Sequence, residues 1–98
     1  MGISIIVQNQ MHDRVEIYFE RVAPKLSEMA LAAPSGTMLG EIHAYADTMF
    51  NTFQLNLFLD ELLDMSSEDE LEQEVFDTLR MAAEKAIRCN GYLWFSGD

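Results

Sequence analysis

Carboxylates are the side chains from which this chain could build chemistry, and they are unevenly placed. Its 98 residues carry 17 acids against 6 bases, a net charge of −11. No Lys or Arg occurs in the 54 residues between Lys25 and Arg80, and that stretch holds 12 of the acids. Nine of them fall within Asp60–Asp77: Asp60, Glu61, Asp64, Glu68, Asp69, Glu70, Glu72, Glu74 and Asp77. The remaining 44 residues hold 5 acids and 6 bases. The expected result is one strongly negative pole on a nearly neutral body.

Other reactive groups are sparse. Cys89 is the only cysteine, so no internal disulfide is possible, which fits a reducing, cytoplasmic setting. His12 and His43 are the only histidines, and neither belongs to a local signature that would make Cys89 a nucleophile. His43 and Asp47 at i,i+4 could supply half of a transition-metal site, with no second such pair to complete it. A calcium loop needs a glycine that Asp60–Asp77 lacks. Phosphate-cradling glycine loops, nucleophile elbows and paired-cysteine motifs are absent from the sequence. No catalytic residue, metal or cofactor is expected, and the chain is not expected to be an enzyme. The charge argues against direct contact with nucleic acid. No apolar run approaches the roughly 18 residues of a membrane span.

The elements that must position the carboxylates follow from periodicity. The length fits a single domain over residues 1–98. Ile3–Val7 is β-branched and is followed by Gln8-Asn9-Gln10, a strand and a turn. Val15, Ile17 and Phe19 alternate as in a second strand. Val15, Tyr18, Phe19, Val22, Leu26, Met29, Ala30 and Ala33 keep helical phase for longer. The longer match predicts a helix from about His12 to Ala33, kinked at Pro24 and stopped by Pro34-Ser35-Gly36.

From Thr37 to Asp64 a long helix is the first expectation, but the phase changes. Ile42, Ala46, Met49, Phe50, Phe53 and Leu57 define one face, whereas Leu55, Phe58, Leu59, Leu62 and Leu63 lie nearly opposite. A surface helix buries one face, so a break is expected at Asn51-Thr52-Phe53-Gln54, which reads as a capping box. The alternatives are a central helix buried on two sides, a strand over Phe53–Leu59, and a dimer contact through Leu55, Phe58, Leu59, Leu62 and Leu63. Ser67-Glu68-Asp69-Glu70 reads as a second capping box, opening a helix with an inner stripe of Leu71, Val75, Leu79, Ala82 and Ala86. Asn90-Gly91 suits its C-cap, and Tyr92–Ser96 a final strand. The expected fold is α+β and mainly helical, with three to four helices beside a small sheet of the N-terminal and C-terminal strands.

Within that frame the last helix accounts for part of its own charge, since acids are favoured at a helix N-terminus. Asp60, Glu61 and Asp64 are different, because they occupy a helix C-terminus across a short turn from Glu68, Asp69 and Glu70. Unit charges about 6–8 Å apart repel by roughly 0.5–2 kcal/mol at intermediate dielectric. The sequence therefore points to Asp60, Glu61, Asp64, Glu68, Asp69, Glu70, Glu74 and Asp77 as a binding corner for a basic protein partner. In size, acidity and the Ser66–Glu74 helix start, the chain resembles bacterial immunity proteins against nuclease toxins and phage-encoded DNA mimics. That resemblance implies a non-catalytic inhibitor that masks the nucleic-acid groove of a nuclease or other nucleic-acid-handling enzyme. The other reading is a homodimeric structural adaptor or chaperone-like protein.

Overall fold

In the computed structural model, residues 2–18, 21–43 and 45–97 are described. Strand β1 (Ser4–Gln8) turns through Asn9, whose side-chain oxygen accepts the backbone N–H groups of Met11 and Asp13, while His12 takes the left-handed conformation at φ 64°. The chain returns as β2 (Arg14–Tyr18), antiparallel to β1 with a bulge opposite Val7/Gln8. Helix α1 (Val22–Ala32) follows, then a single 3₁₀ turn at Leu39–Glu41 and strand β3 (Asp47–Phe50). Helix α2 (Thr52–Leu63), helix α3 (Glu70–Arg88) and strand β4 (Tyr92–Ser96) complete the order. The sheet is antiparallel throughout, in the order β2-β1-β4-β3. The fold is thus α+β, with three helices against a four-stranded sheet among the described residues.

The terminal strands pair as their apolar character implied, with Ile5 opposite Phe95 and Val7 opposite Leu93. Alternate residues of β1 and β4 are fully buried. Those inward residues meet Leu26 of α1, Leu55 and Phe58 of α2, and Val75, Leu79 and Ala86 of α3 in one core. Phe50, Phe58 and Phe95 pack edge to face at its centre, with centroids 5.4–6.3 Å apart.

The predicted start of α2 and the predicted stop of α3 are both present. Asn51 accepts the Gln54 backbone N–H, and the Gln54 side chain accepts the Asn51 N–H in return, closing a full capping box. At the end of α3, Asn90 is left-handed at φ 52°, Gly91 N–H reaches Ala86 C=O and Asn90 N–H reaches Ile87 C=O, a Schellman motif. Gly91 is required by proximity: a Cβ there would sit 1.9 Å from the Gln8 carbonyl oxygen, where β4 leaves the helix to join β1.

Four expectations are corrected. The helix over His12–Ala33 is instead β2 followed by α1, because pairing with β1 satisfies the backbone of Arg14–Tyr18; Phe19, one of the residues in that phase, lies outside the described residues. Pro24 consequently falls in the first turn of α1, where its missing N–H costs nothing and no kink is needed. Residues 47–50 form a strand because β4 offers them an open edge, with Met49 opposite Trp94. Finally, α3 is capped by Asp69, whose carboxylate accepts the Glu72 N–H, and not by Ser67.

Candidate functional site

The end of α2 and the start of α3 carry the acidic corner, and half of the carboxylates assigned to it already have partners inside the molecule. Glu61 projects from the last turn of α2 toward the 3₁₀ turn. Its two oxygens accept the backbone N–H groups of Met38 and Leu39 at 2.7 and 3.0 Å. A carboxylate that opposes the dipole of its own helix thus caps the exposed donors of another short element. Asp69 is the α3 N-cap, and Glu72 accepts the Glu68 N–H at 3.0 Å while lying 3.9 Å from the Lys25 ammonium. Glu74 pairs with Arg21 at 2.7 Å, and Asp77 with Arg80 at 2.6 Å.

This corrects the expectation of a corner left in mutual repulsion. Glu61, Asp69, Glu74 and Asp77 are neutralised or hydrogen-bonded by groups of the fold itself. Asp60, Asp64, Glu68 and Glu70 remain, all exposed and without a hydrogen bond or ion pair to their carboxylates among the described residues.

The apolar residues of α2 divide in a way that overturns the proposed dimer contact. Leu55, Phe58 and Leu62 are buried in the core, and Leu59 is half-buried against it. Only Leu63, 74% exposed, could meet a second chain. That face is consumed by folding because the sheet lies directly beneath it. The opposite side of the helix is the accessible one. Phe53, Leu57, Asp60 and Asp64 recur at helical spacing along one stripe, all exposed, with Phe53 at 72% and Leu57 at 47%. An aromatic and a leucine therefore stand on the same helix face as two unpaired carboxylates, which continue toward Glu68 and Glu70. Sequence reasoning put Phe53 and Leu57 on one face with Ile42, Ala46, Met49 and Phe50, without deciding which of the two apolar faces is buried. The signal that could have identified them was the takeover of their phase by Asp60 and Asp64.

A cleft lies along the outer side of α3, lined by Glu70, Gln73, Glu74, Asp77 and Met81, with Arg21 at one side. The Arg21–Glu74 pair spans it, so its acidity is partly cancelled from within. Across the molecule, Lys85 of α3 pairs with Glu16 of β2. That hydrogen bond holds the Glu16 carboxyl below its usual range. Neighbouring Tyr18 is pushed up to about 12, by burial first and by hydrogen bonding and charge from Glu16 second.

No group of three or more metal-binding side chains occurs among the described residues. His43 lies in a loop and Asp47 on β3, so the i,i+4 geometry proposed for them does not form. His12 instead stacks on Tyr92 at 4.1 Å, with a nitrogen 3.0 Å from the Gln8 side-chain oxygen. Cys89 is the half-buried C-cap residue of α3. No helix among the described residues is long and apolar enough to cross a membrane. Comparisons with protein-family models, curated proteins and solved structures return no match.

Proposed function

We propose that this chain is a non-catalytic, cytoplasmic protein that binds and masks a basic surface on another protein, through the outward stripe of α2 and the acids that continue it. The observation that carries this reading is the composition of that stripe. Phe53 and Leu57 offer apolar anchors, and Asp60 and Asp64 offer charges that the chain leaves unpaired among the described residues. Protein interfaces place large apolar anchors at the centre and charges at the rim, where complementarity speeds encounter and selects the partner. Glu68 and Glu70 extend the negative rim across the α2–α3 turn. A groove built for phosphates presents Lys and Arg in this manner, so a nuclease or another nucleic-acid-handling enzyme is the partner of matching chemistry.

The α2 stripe replaces the wider corner of the sequence reading, since Glu61, Asp69, Glu74 and Asp77 already serve the fold. Affinity capture on the immobilised chain, at low and high ionic strength, tests the proposal. The wild type should retain a basic protein at low salt and release it at high salt, and the captured protein should lose nucleic-acid binding when the chain is added. Asp60→Asn with Asp64→Asn, or Phe53→Ala alone, should abolish retention. Retention of the same protein by both variants would remove the basis of the proposal.

A further inference from the structure

An antiparallel sheet covered by helices on one side normally turns polar residues outward on the other. Two outward rows of this sheet comply. Ser4, Ser96 and Asp47 are register neighbours in one, and Arg14, Gln8 and Tyr92 in the other. The row between them does not. Ile17, Ile6, Trp94 and Met49 stand side by side, one from each strand. Ile17 is 36% and Met49 42% exposed, and Ile6 and Trp94 are half-buried. Edge strands usually carry charge at such positions to prevent association, yet here both edges are apolar at the middle of the outward face. The rim charges are Arg14 at one corner and Asp47 at the diagonally opposite one. Neither side chain forms an ion pair among the described residues.

We infer that this open sheet face is the surface through which two copies of the chain associate. A two-fold interface must be self-complementary, so each charge has to meet its opposite under the same rotation. Arg14 and Asp47 are three strand spacings apart in one direction and four residue rises in the other, each about 14 Å. Because those legs are equal, an axis along the other diagonal lays Arg14 of each copy over Asp47 of the other. The same rotation crosses the two apolar rows at about 90°, the orthogonal mode of sheet packing. Ile6 and Trp94 then meet their own counterparts at the centre, and Met49 reaches the Tyr92–His12 stack.

A second copy suits this face better than a basic partner does, because its two rim charges cancel whereas the α2 stripe is purely negative. The footprint is small, which places the dimer at the weak end of specific interfaces, with micromolar dissociation. Each copy carries −11, so salt should strengthen the association, the reverse of the effect on a basic partner.

Sedimentation of the full chain, from low to high micromolar concentration at low and high salt, reads this directly. The expected result is a monomer–dimer equilibrium that tightens with salt. Met49→Asp and Ile17→Asp, at exposed positions, should each weaken it at least about tenfold by burying an unpaired carboxylate. Arg14→Glu should weaken it too, and adding Asp47→Arg should restore it. Circular dichroism and melting of each variant establish that the fold is retained. A monomer at every concentration overturns the inference, as does a dimer indifferent to both aspartate substitutions. Failure of the charge swap to restore affinity overturns the two-fold geometry. Asp60→Asn with Asp64→Asn should leave the dimer intact, so loss of partner capture and loss of dimerisation are separable outcomes.

Discussion

Replacing Glu61 by Gln tests how the fold uses its acidic corner. Both Glu61 oxygens accept backbone N–H groups, from Met38 at 2.7 Å and Leu39 at 3.0 Å, across 23 and 22 residues of sequence. Hydrogen bonds to a charged group contribute about 1.5–3 kcal/mol each, and the lower end applies to a half-buried site. Gln keeps one acceptor and turns its NH₂ toward the other donor, so the loss should be about 1–2 kcal/mol. Ala strands both donors and should cost roughly 2–3 kcal/mol. In a domain of this size the Gln change corresponds to a fall in melting temperature of roughly 5–15 °C. Asp60→Asn with Asp64→Asn should have the opposite sign. Those carboxylates oppose the α2 dipole without a partner, and removing them should stabilise by up to about 1 kcal/mol. Calorimetric melting at neutral pH compares the two. Hydrogen exchange adds a local readout, since the Met38 and Leu39 amides should lose protection in Glu61→Gln. A Glu61→Gln protein that melts with the wild type and keeps both amides protected would refute the assignment.

Gly91→Ala should fail to accumulate in folded form, or lose about 3 kcal/mol in chemical denaturation, because its Cβ would overlap the Gln8 carbonyl. Asn51→Ala should lower the denaturant midpoint by an amount equivalent to about 1 kcal/mol, through loss of the α2 cap. The Tyr18 phenol is raised to about 12 in the folded chain, against about 10 when unfolded. Its contribution is therefore complete below about pH 10 and is lost as pH climbs toward 12, a decline that urea titrations should find absent in Tyr18→Phe. Glu16 is lowered by its hydrogen bond to Lys85, so its contribution holds above the ordinary carboxylate range and fades on acidification, and Glu16→Gln should flatten that acid limb.

The elements legible in the sequence were those whose signals are local. The Asn51–Gln54 box needs three residues of separation, and the Asn90–Gly91 stop needs one turn of helix. The apolar runs at Ser4–Gln8 and Tyr92–Ser96 are strands in any setting that covers one side of them. Arg14–Tyr18 was obscured because Val22, Leu26 and Ala30 of α1 set a phase that runs back by coincidence through Val15 and Tyr18. The β2 strand depends on its neighbour β1, and β3 on β4. Neither relation is visible in the residues of the strand itself.

Charge shows the same division more sharply. Composition and spacing determined that nine carboxylates would gather around one turn, because helix starts recruit acids and no base interrupts Asp60–Asp77. Which of them are free was decided only in three dimensions. Glu61 meets Met38 and Leu39, Glu74 meets Arg21 and Glu72 approaches Lys25 because α1 and the 3₁₀ turn fold back against α2 and α3. Likewise the sequence settled that α2 has two apolar faces, while the sheet selected the Leu55–Phe58–Leu62 side for burial and left Phe53 and Leu57 to solvent. Local spacing sets the directions in which side chains point along an element, but burial and ion pairing depend on which other element arrives opposite, and chain connectivity over tens of residues decides that.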